Sequence, residues 1–352
     1  IVQAGRSRVY QPAYTATNSD DFIGITDAAI SDTASGSVTI KGGISTNVTG
    51  LTPNALYYVQ DDGSLVAGAT SIPFDISSAS FVQSFSVAAQ DSIPRDVVFN
   101  SDGTKMFILG DAGNKVHQYA LSTGFDVSTA SFVQSLDISN QGTAPEGLAF
   151  NADGTKMFVS DVGVDAVNQY ALSTGFDIST ASFSQSFSVS GQDTVPTNIA
   201  FNTDGTKMFI LGDAGNDVNE YSLTTGFDIS TASFVDSFSV AAQETSPNGL
   251  VFNSDGTKMF VVGFISDIVF QYNLATGFDV STASYSSISF NVASQDGNPT
   301  GIAFNTDGTK MFIVGYQTDS VGEYTTTQTT FVTTVLAGKA LSSTSINLDY
   351  TT

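Results

Sequence analysis

Phe99-Asn100-Ser101-Asp102-Gly103-Thr104-Lys105-Met106-Phe107 returns four more times with at most its third residue changed, starting at Phe150, Phe201, Phe252 and Phe304. The steps are 51, 51, 51 and 52 residues, and all five methionines (Met106, Met157, Met208, Met259 and Met311) fall inside the copies. A period near 50 residues, with strand-forming residues and no helical pattern, means one small sheet per repeat. The first copy shows how the sheet is made. Asp96-Val97-Val98-Phe99 reads as one strand, and Asp102-Gly103 supplies the positive φ of a tight hairpin turn. Lys105 to Leu109 is the second strand, Lys115 to Ala120 the third, and Ser131 to Leu136, after a Ser/Thr run, the fourth.

The ends point to a closed ring. The repeats begin with a lone fourth strand, Phe81 to Val87, and finish on a third, Ser320 to Tyr324. Lending the first to the last blade buries both free edges. The reading is therefore all-β: a five-bladed β-propeller at 74–328, inserted into a small β-sandwich or barrel-like domain built from 1–73 plus 329–352. An open solenoid is the rival, but it needs polar caps at both ends, and none is visible. The one extra residue of the last repeat falls in the preceding fourth strand, between Ser284 and Val292, which predicts a bulge there.

On these residues the repeat resembles the YVTN/NHL-like propellers. Each repeat carries a proline (Pro94, Pro145, Pro196, Pro247, Pro299), then an apolar strand, Asp-Gly and an apolar pair. The resemblance implies the fold and leaves function open, because propellers host many unrelated jobs.

Bulk composition narrows the functions. The chain has 352 residues, 34 acidic against 11 basic, and a net charge of −23. A field of that sign repels phosphate backbones and anionic lipid, so neither a nucleic acid nor membrane insertion is expected. There is no cysteine, which excludes disulfides, thiolate metal sites and cysteine nucleophiles. The chain begins at Ile1 without a signal-like stretch, which fits a processed form or part of a longer polypeptide.

Positions identical in every copy read as structural: Asp102 and its equivalents in turns, and Tyr119, Tyr170, Tyr221, Tyr272 and Tyr324 between blades. Function is expected where the copies disagree. The loops between second and third strands differ, as do the residues entering the first strand: Arg95-Asp96, Glu146-Gly147, Thr197-Asn198, Asn248-Gly249 and Thr300-Gly301. Both sets emerge on one face, together with Gln90, Gln141, Gln192, Gln243 and Gln295. This rim is the candidate binding face, with Phe264, Ile265 and Tyr316 as its apolar contacts.

Catalytic and metal readings are weaker. Asp96 and Glu146 near the funnel mouth offer the carboxylate pair of a glycosidase, but Asn198, Gly249 and Gly301 provide no third acid. His117, the only histidine, reads as a solvent-facing strand residue. Asp161 to Asp165 and Asp213 to Asp217 hold oxygen ligands at short spacing without the terminal Glu of a calcium loop. No catalytic residue, metal or cofactor is expected.

The flanks read as strands at Arg8 to Tyr10, Phe22 to Ile25, Gly36 to Ile40, Ala55 to Val59, Phe331 to Val335, Gly338 to Leu341 and Ser345 to Leu348. Phe22-Ile23-Gly24-Ile25, Gly36-Ser37-Val38-Thr39-Ile40-Lys41-Gly42-Gly43, Asp62-Gly63-Ser64-Leu65 and Ala337-Gly338-Lys339-Ala340-Leu341-Ser342 resemble a small β module of bacteriophage tail-fibre and virion-surface proteins. The resemblance implies a non-enzymatic attachment role at the virion surface. The partners implied are other virion proteins, further copies of the chain, and a host-surface glycan or protein. A secreted or cell-surface carbohydrate-binding propeller is the alternative, and a glycoside hydrolase the third reading.

Overall fold

The computed structural model describes residues 70–326 and 328–330, and short strands at 24–26, 38–40, 44–45, 56–59, 65–67, 335–342 and 345–347. The chain divides into two compact units, Ile1–Ile72 with Thr329–Thr352, and Pro73–Gln328.

The nonapeptide explains the larger unit residue by residue. Asn100 Oδ1 accepts from Lys105 N at 2.9 Å, and Asp102 Oδ1 accepts from Thr104 N at 2.9 Å and from its hydroxyl at 2.6 Å. These bonds close the hairpin around Gly103, whose φ is +71°. The Phe125 ring lies where a Cβ on Gly103 would sit, so glycine is required there twice over. Beyond the turn, Met106 and Phe107 point to opposite faces of the sheet. Met106 packs among residues of the last blade, including Phe312 and Val314, while Phe107 packs with Met157 of the next. The core therefore lies between blades.

Five four-stranded antiparallel sheets result. The first blade is Pro94–Phe99, Lys105–Gly110, Lys115–Leu121 and Ala130–Asp137. The fifth is Pro299–Phe304, Lys310–Gly315, Ser320–Thr325 and, from the start of the repeats, Ser80–Ser86. That closure is seen in register, with Val321 opposite Phe85 and Tyr324 opposite Phe81. Each innermost strand touches the innermost strands of both neighbours, and the cycle returns from the fifth to the first. The fold is thus a closed five-bladed propeller.

The outermost strands carry a bulge opposite the recurrent tyrosine: Gln118 faces Gln134 but Tyr119 faces Phe132. The extra residue of the fourth blade enlarges it. Gln271 faces Ile288 while Tyr272 faces Tyr285, and Ser287 takes a φ of 64°.

In the smaller unit a five-stranded antiparallel sheet runs Ile44–Ser45, Ser345–Asn347, Val335–Ser342, Leu56–Val59, Leu65–Ala67. It draws strands from both sides of the propeller in sequence. Gly24–Thr26 pairs with Val38–Ile40. The strands expected at Arg8 to Tyr10 and at 331–334 lie outside the described residues.

A lysine latch ties each blade to the next. Nζ of Lys105, Lys156, Lys207, Lys258 and Lys310 donates to the carbonyl of Phe176, Phe227, Phe278, Phe74 and Phe125, respectively. In two blades the same lysine also meets a buried carboxylate, Lys207 with Glu220 and Lys310 with Glu323, each at 2.7 Å. The other three blades have Gln118, Gln169 or Gln271 at that position. Lys310→Met removes the charged partner of Glu323 at the ring seam, leaving it the N–H groups of Gln83 and Val127, and is expected to cost about 1–3 kcal/mol in chemical denaturation. Adding Glu323→Gln should recover more than half of the loss; equal loss in the single and double variants contradicts this assignment.

Candidate functional site

At the ring axis the five first strands place Asp96, Gly147, Asn198, Gly249 and Gly301 at equivalent positions. Asp96 fills the space beside Gly301. It is only 3% exposed. Its Oδ1 accepts from Val97 N at 2.8 Å, and its Oδ2 accepts from Leu148 N at 2.8 Å and Asn198 Nδ2 at 3.0 Å. One side chain thus joins the first three blades, and Gly301 of the fifth lies close against it. Burial raises Asp96 to about 7, against the pull of these three N–H donors. The expected pairing of Asp96 with Glu146 at a funnel mouth is therefore corrected: Asp96 is a buried plug of the axis.

A cavity of about 420 Å³ opens among residues from three repeat positions. The residue just before the axial one contributes Arg95, Glu146, Thr197 and Asn248. The residue before the proline contributes Ile93, Val195 and Ser246. The loop between second and third strands contributes Val162, Asp213, Phe264 and Tyr316. At each of these positions most of the five copies differ, so the variable columns converge on one place. Backbone bonds fix the loop over the first strand, with Asp111 N donating to Ile93 O and Phe264 N to Ser246 O, both at 3.0 Å.

Arg95 organises one side of the cavity. It donates to Asp111 at 2.7 Å, lies 3.3 Å from Glu146 Oε2, and holds its guanidinium carbon 6.0 Å from the Tyr316 ring centroid. Phe264 and Tyr316 stack with centroids 5.6 Å apart and planes at 28°. Burial pushes Glu146 up to about 7; Arg95 opposes it, and Asp111, Asp161 and Asp213 add to it. Burial also raises Asp213, only partly offset by Ser246.

Other expected rim residues lie elsewhere. Ile265 is 67% exposed and outside the cavity lining. The repeated glutamines do not line it either. In four blades they accept from the recurrent tyrosine hydroxyl: Gln90 from Tyr119 and Gln192 from Tyr221 at 3.1 Å, Gln141 from Tyr170 and Gln243 from Tyr272 at 3.4 Å. Gln295 is half-buried at the equivalent place.

His117 is corrected more sharply. It is buried, 2% exposed, with Nε2 3.4 Å from Asp91 Oδ2. Burial pushes Asp91 up, but His117 and the backbone N–H groups of Ile93 and Ala112 more than offset it, leaving Asp91 below the usual range. Asp91, Asp193, Glu244 and Asp296 are equivalent buried acids; each accepts the backbone N–H two residues on and one from the loop between second and third strands. The second blade has Gly142 there, and the carboxylate of Asp161 occupies the space from the opposite strand. Asp161 thus serves a turn, and no group of three or more metal-ligating side chains occurs among the described residues.

No protein-family model matches the chain, and no curated protein matches it in sequence. Among solved structures, it is similar to a functionally unknown protein from Desulfotomaculum acetoxidans DSM 771, at 14% identity and TM-score 0.40, over 63% of this chain and 62% of that one. It is also similar to the Cps50 (Swd1) β-propeller domain of Myceliophteria thermophila, at 8% identity and TM-score 0.42, over 70% and 99%. A luciferin-regenerating enzyme shares 11% identity and TM-score 0.43, over 69% and 94%. At these identities the likeness is one of fold alone.

The raised carboxyls give a pH prediction. Asp96 and Glu146 hold their protons in the fold up to about 7 and release them on unfolding above their ordinary values near 4. Their contribution to stability is complete below that lower value and is lost as pH rises through 7. Calorimetry should show a melting temperature several degrees higher at pH 5 than at pH 8, and Glu146→Gln should shrink the difference. A flat profile contradicts the assignment.

Proposed function

We propose that the chain is a non-enzymatic attachment protein exposed on a bacteriophage virion, as a tail fibre or surface decoration. Its terminal strands form a sandwich- or barrel-like anchor, and the propeller offers its variable face to a host surface. The observation that carries the binding role is the convergence of the differing copies. Arg95, Glu146, Asp213, Phe264 and Tyr316 come from all five blades and meet at one cavity. Positions that hold the ring are repeated from blade to blade, whereas these are not. The likeness of both flanks to a virion-surface module supports the location, and the family's habit of assembly supports a homo-oligomer bound to other virion proteins. A secreted or cell-surface module with the same binding face is the alternative location, and the chain's presence in purified particles separates the two.

A second reading, glycoside hydrolysis, draws on Glu146 standing near 7 with Asp213 lining the same cavity. An acid and a base are what glycoside cleavage needs. Release of reducing sugar from polysaccharide, lost in Glu146→Gln, would favour it and remove the non-enzymatic reading.

Replacing Phe264 and Tyr316 with Ser removes the aromatic stack without touching the core. Attachment to target cells is expected to fall at least ~10-fold, the order of a lost aromatic anchor, with an unchanged melting temperature. Undiminished attachment would sink the proposal.

A further inference from the structure

Two polar atoms of the cavity-lining residues lack a partner. Arg95 Nε and Asp213 Oδ1 are shielded from bulk water and hydrogen-bonded to nothing among the described residues. A buried polar atom left unpaired costs about 1–3 kcal/mol. Arg95 Nε is a donor only, and a carboxylate oxygen such as Asp213 Oδ1 is an acceptor. A hydroxyl donates and accepts, so one that enters the cavity can pair with either atom once the lining side chain turns toward it.

Charge narrows the ligand further. Asp111 and Asp213, joined by Glu146 above pH 7, disfavour an anion. A cation meets Arg95, which already faces the Tyr316 ring and pairs with Asp111 and Glu146. The remaining class is neutral and rich in hydroxyls. The Phe264–Tyr316 stack adds an apolar, polarisable wall. Apolar C–H faces edged by hydroxyls are the chemistry of a sugar ring. The volume of about 420 Å³ lies in the range of small-molecule pockets.

We infer that this cavity binds one or two uncharged sugar rings of a glycan, with their C–H faces against Phe264 and Tyr316 and their hydroxyls shared among Arg95, Asp213 and Glu146. The inference deepens the attachment reading and rests on its binding face.

The test is isothermal titration of the full chain with glucose, galactose, mannose, N-acetylglucosamine, maltose and lactose. At least one should bind, and Asp213→Ala and Tyr316→Ala should each weaken it ~10-fold or more. Val235→Ser, on an exposed outer strand, should leave binding unchanged. Melting curves verify that each variant is folded; if one is not, the other decides. Absence of binding to all six by the folded wild type overturns the inference, as does binding that neither variant weakens. Loss of cell attachment in Tyr316→Ser without any sugar binding leaves the attachment reading standing and removes the sugar. Sugar binding lost in the variants with attachment intact does the reverse.

Discussion

The ring is held by a contact between the first and last residues of its own repeated motif. The closing Phe of one nonapeptide packs on the opening Phe of the next: Phe107 on Phe150 at 4.7 Å, Phe158 on Phe201 at 4.6 Å, Phe209 on Phe252 at 4.6 Å, and Phe260 on Phe304 at 4.7 Å. Phe312 on Phe99, at 4.5 Å, completes the cycle across the seam. No single repeat can satisfy this contact alone, and a row of repeats always leaves one ring without its partner. Closure satisfies all five. The Met between strand start and closing Phe turns to the other neighbour, so both faces of each second strand are buried.

Because these contacts are the same in every blade, they fix the chain at the same columns and leave others free. The free columns are those around the cavity, where Arg95, Glu146, Thr197 and Asn248 occupy equivalent places with four different chemistries. The cavity also depends on the seam. Arg95 comes from the first blade and Tyr316 from the fifth, and their approach at 6.0 Å exists only in a closed ring. Asp96 works with the same geometry from the axis, where it meets Asn198 and the other three equivalent positions are glycines.

The sequence made the ring legible because period, Asp-Gly spacing and alternation are local signals, and a lone fourth strand before the repeats implies its own partner. The variable rim was legible by aligning the copies on one another. What escaped depends on meetings between blades. Asp96 reads as a mouth residue until Leu148 and Asn198 are seen to donate to it. His117 sits among counterparts Asn168, Asn219, Phe270 and Gly322, which gave no hint of burial beside Asp91. Gly142 and Asp161 depart from their columns together, a paired exchange visible in the aligned copies but meaningless until the two strands adjoin. Asp213 reads from the sequence as one oxygen ligand of a short loop, and its place in the cavity emerges only with the column it shares with Phe264 and Tyr316.

Closure is the claim on which both the core and the cavity rest, and the absence of native cysteine allows it to be tested cleanly. Ser80 and Thr325 oppose one another at the seam, with hydroxyls 2.8 Å apart. In the double variant Ser80→Cys with Thr325→Cys, mild oxidation should give a monomeric, internally cross-linked chain, read by non-reducing electrophoresis, with a raised melting temperature. Thiols that stay free, or that join separate chains, would contradict the closed ring.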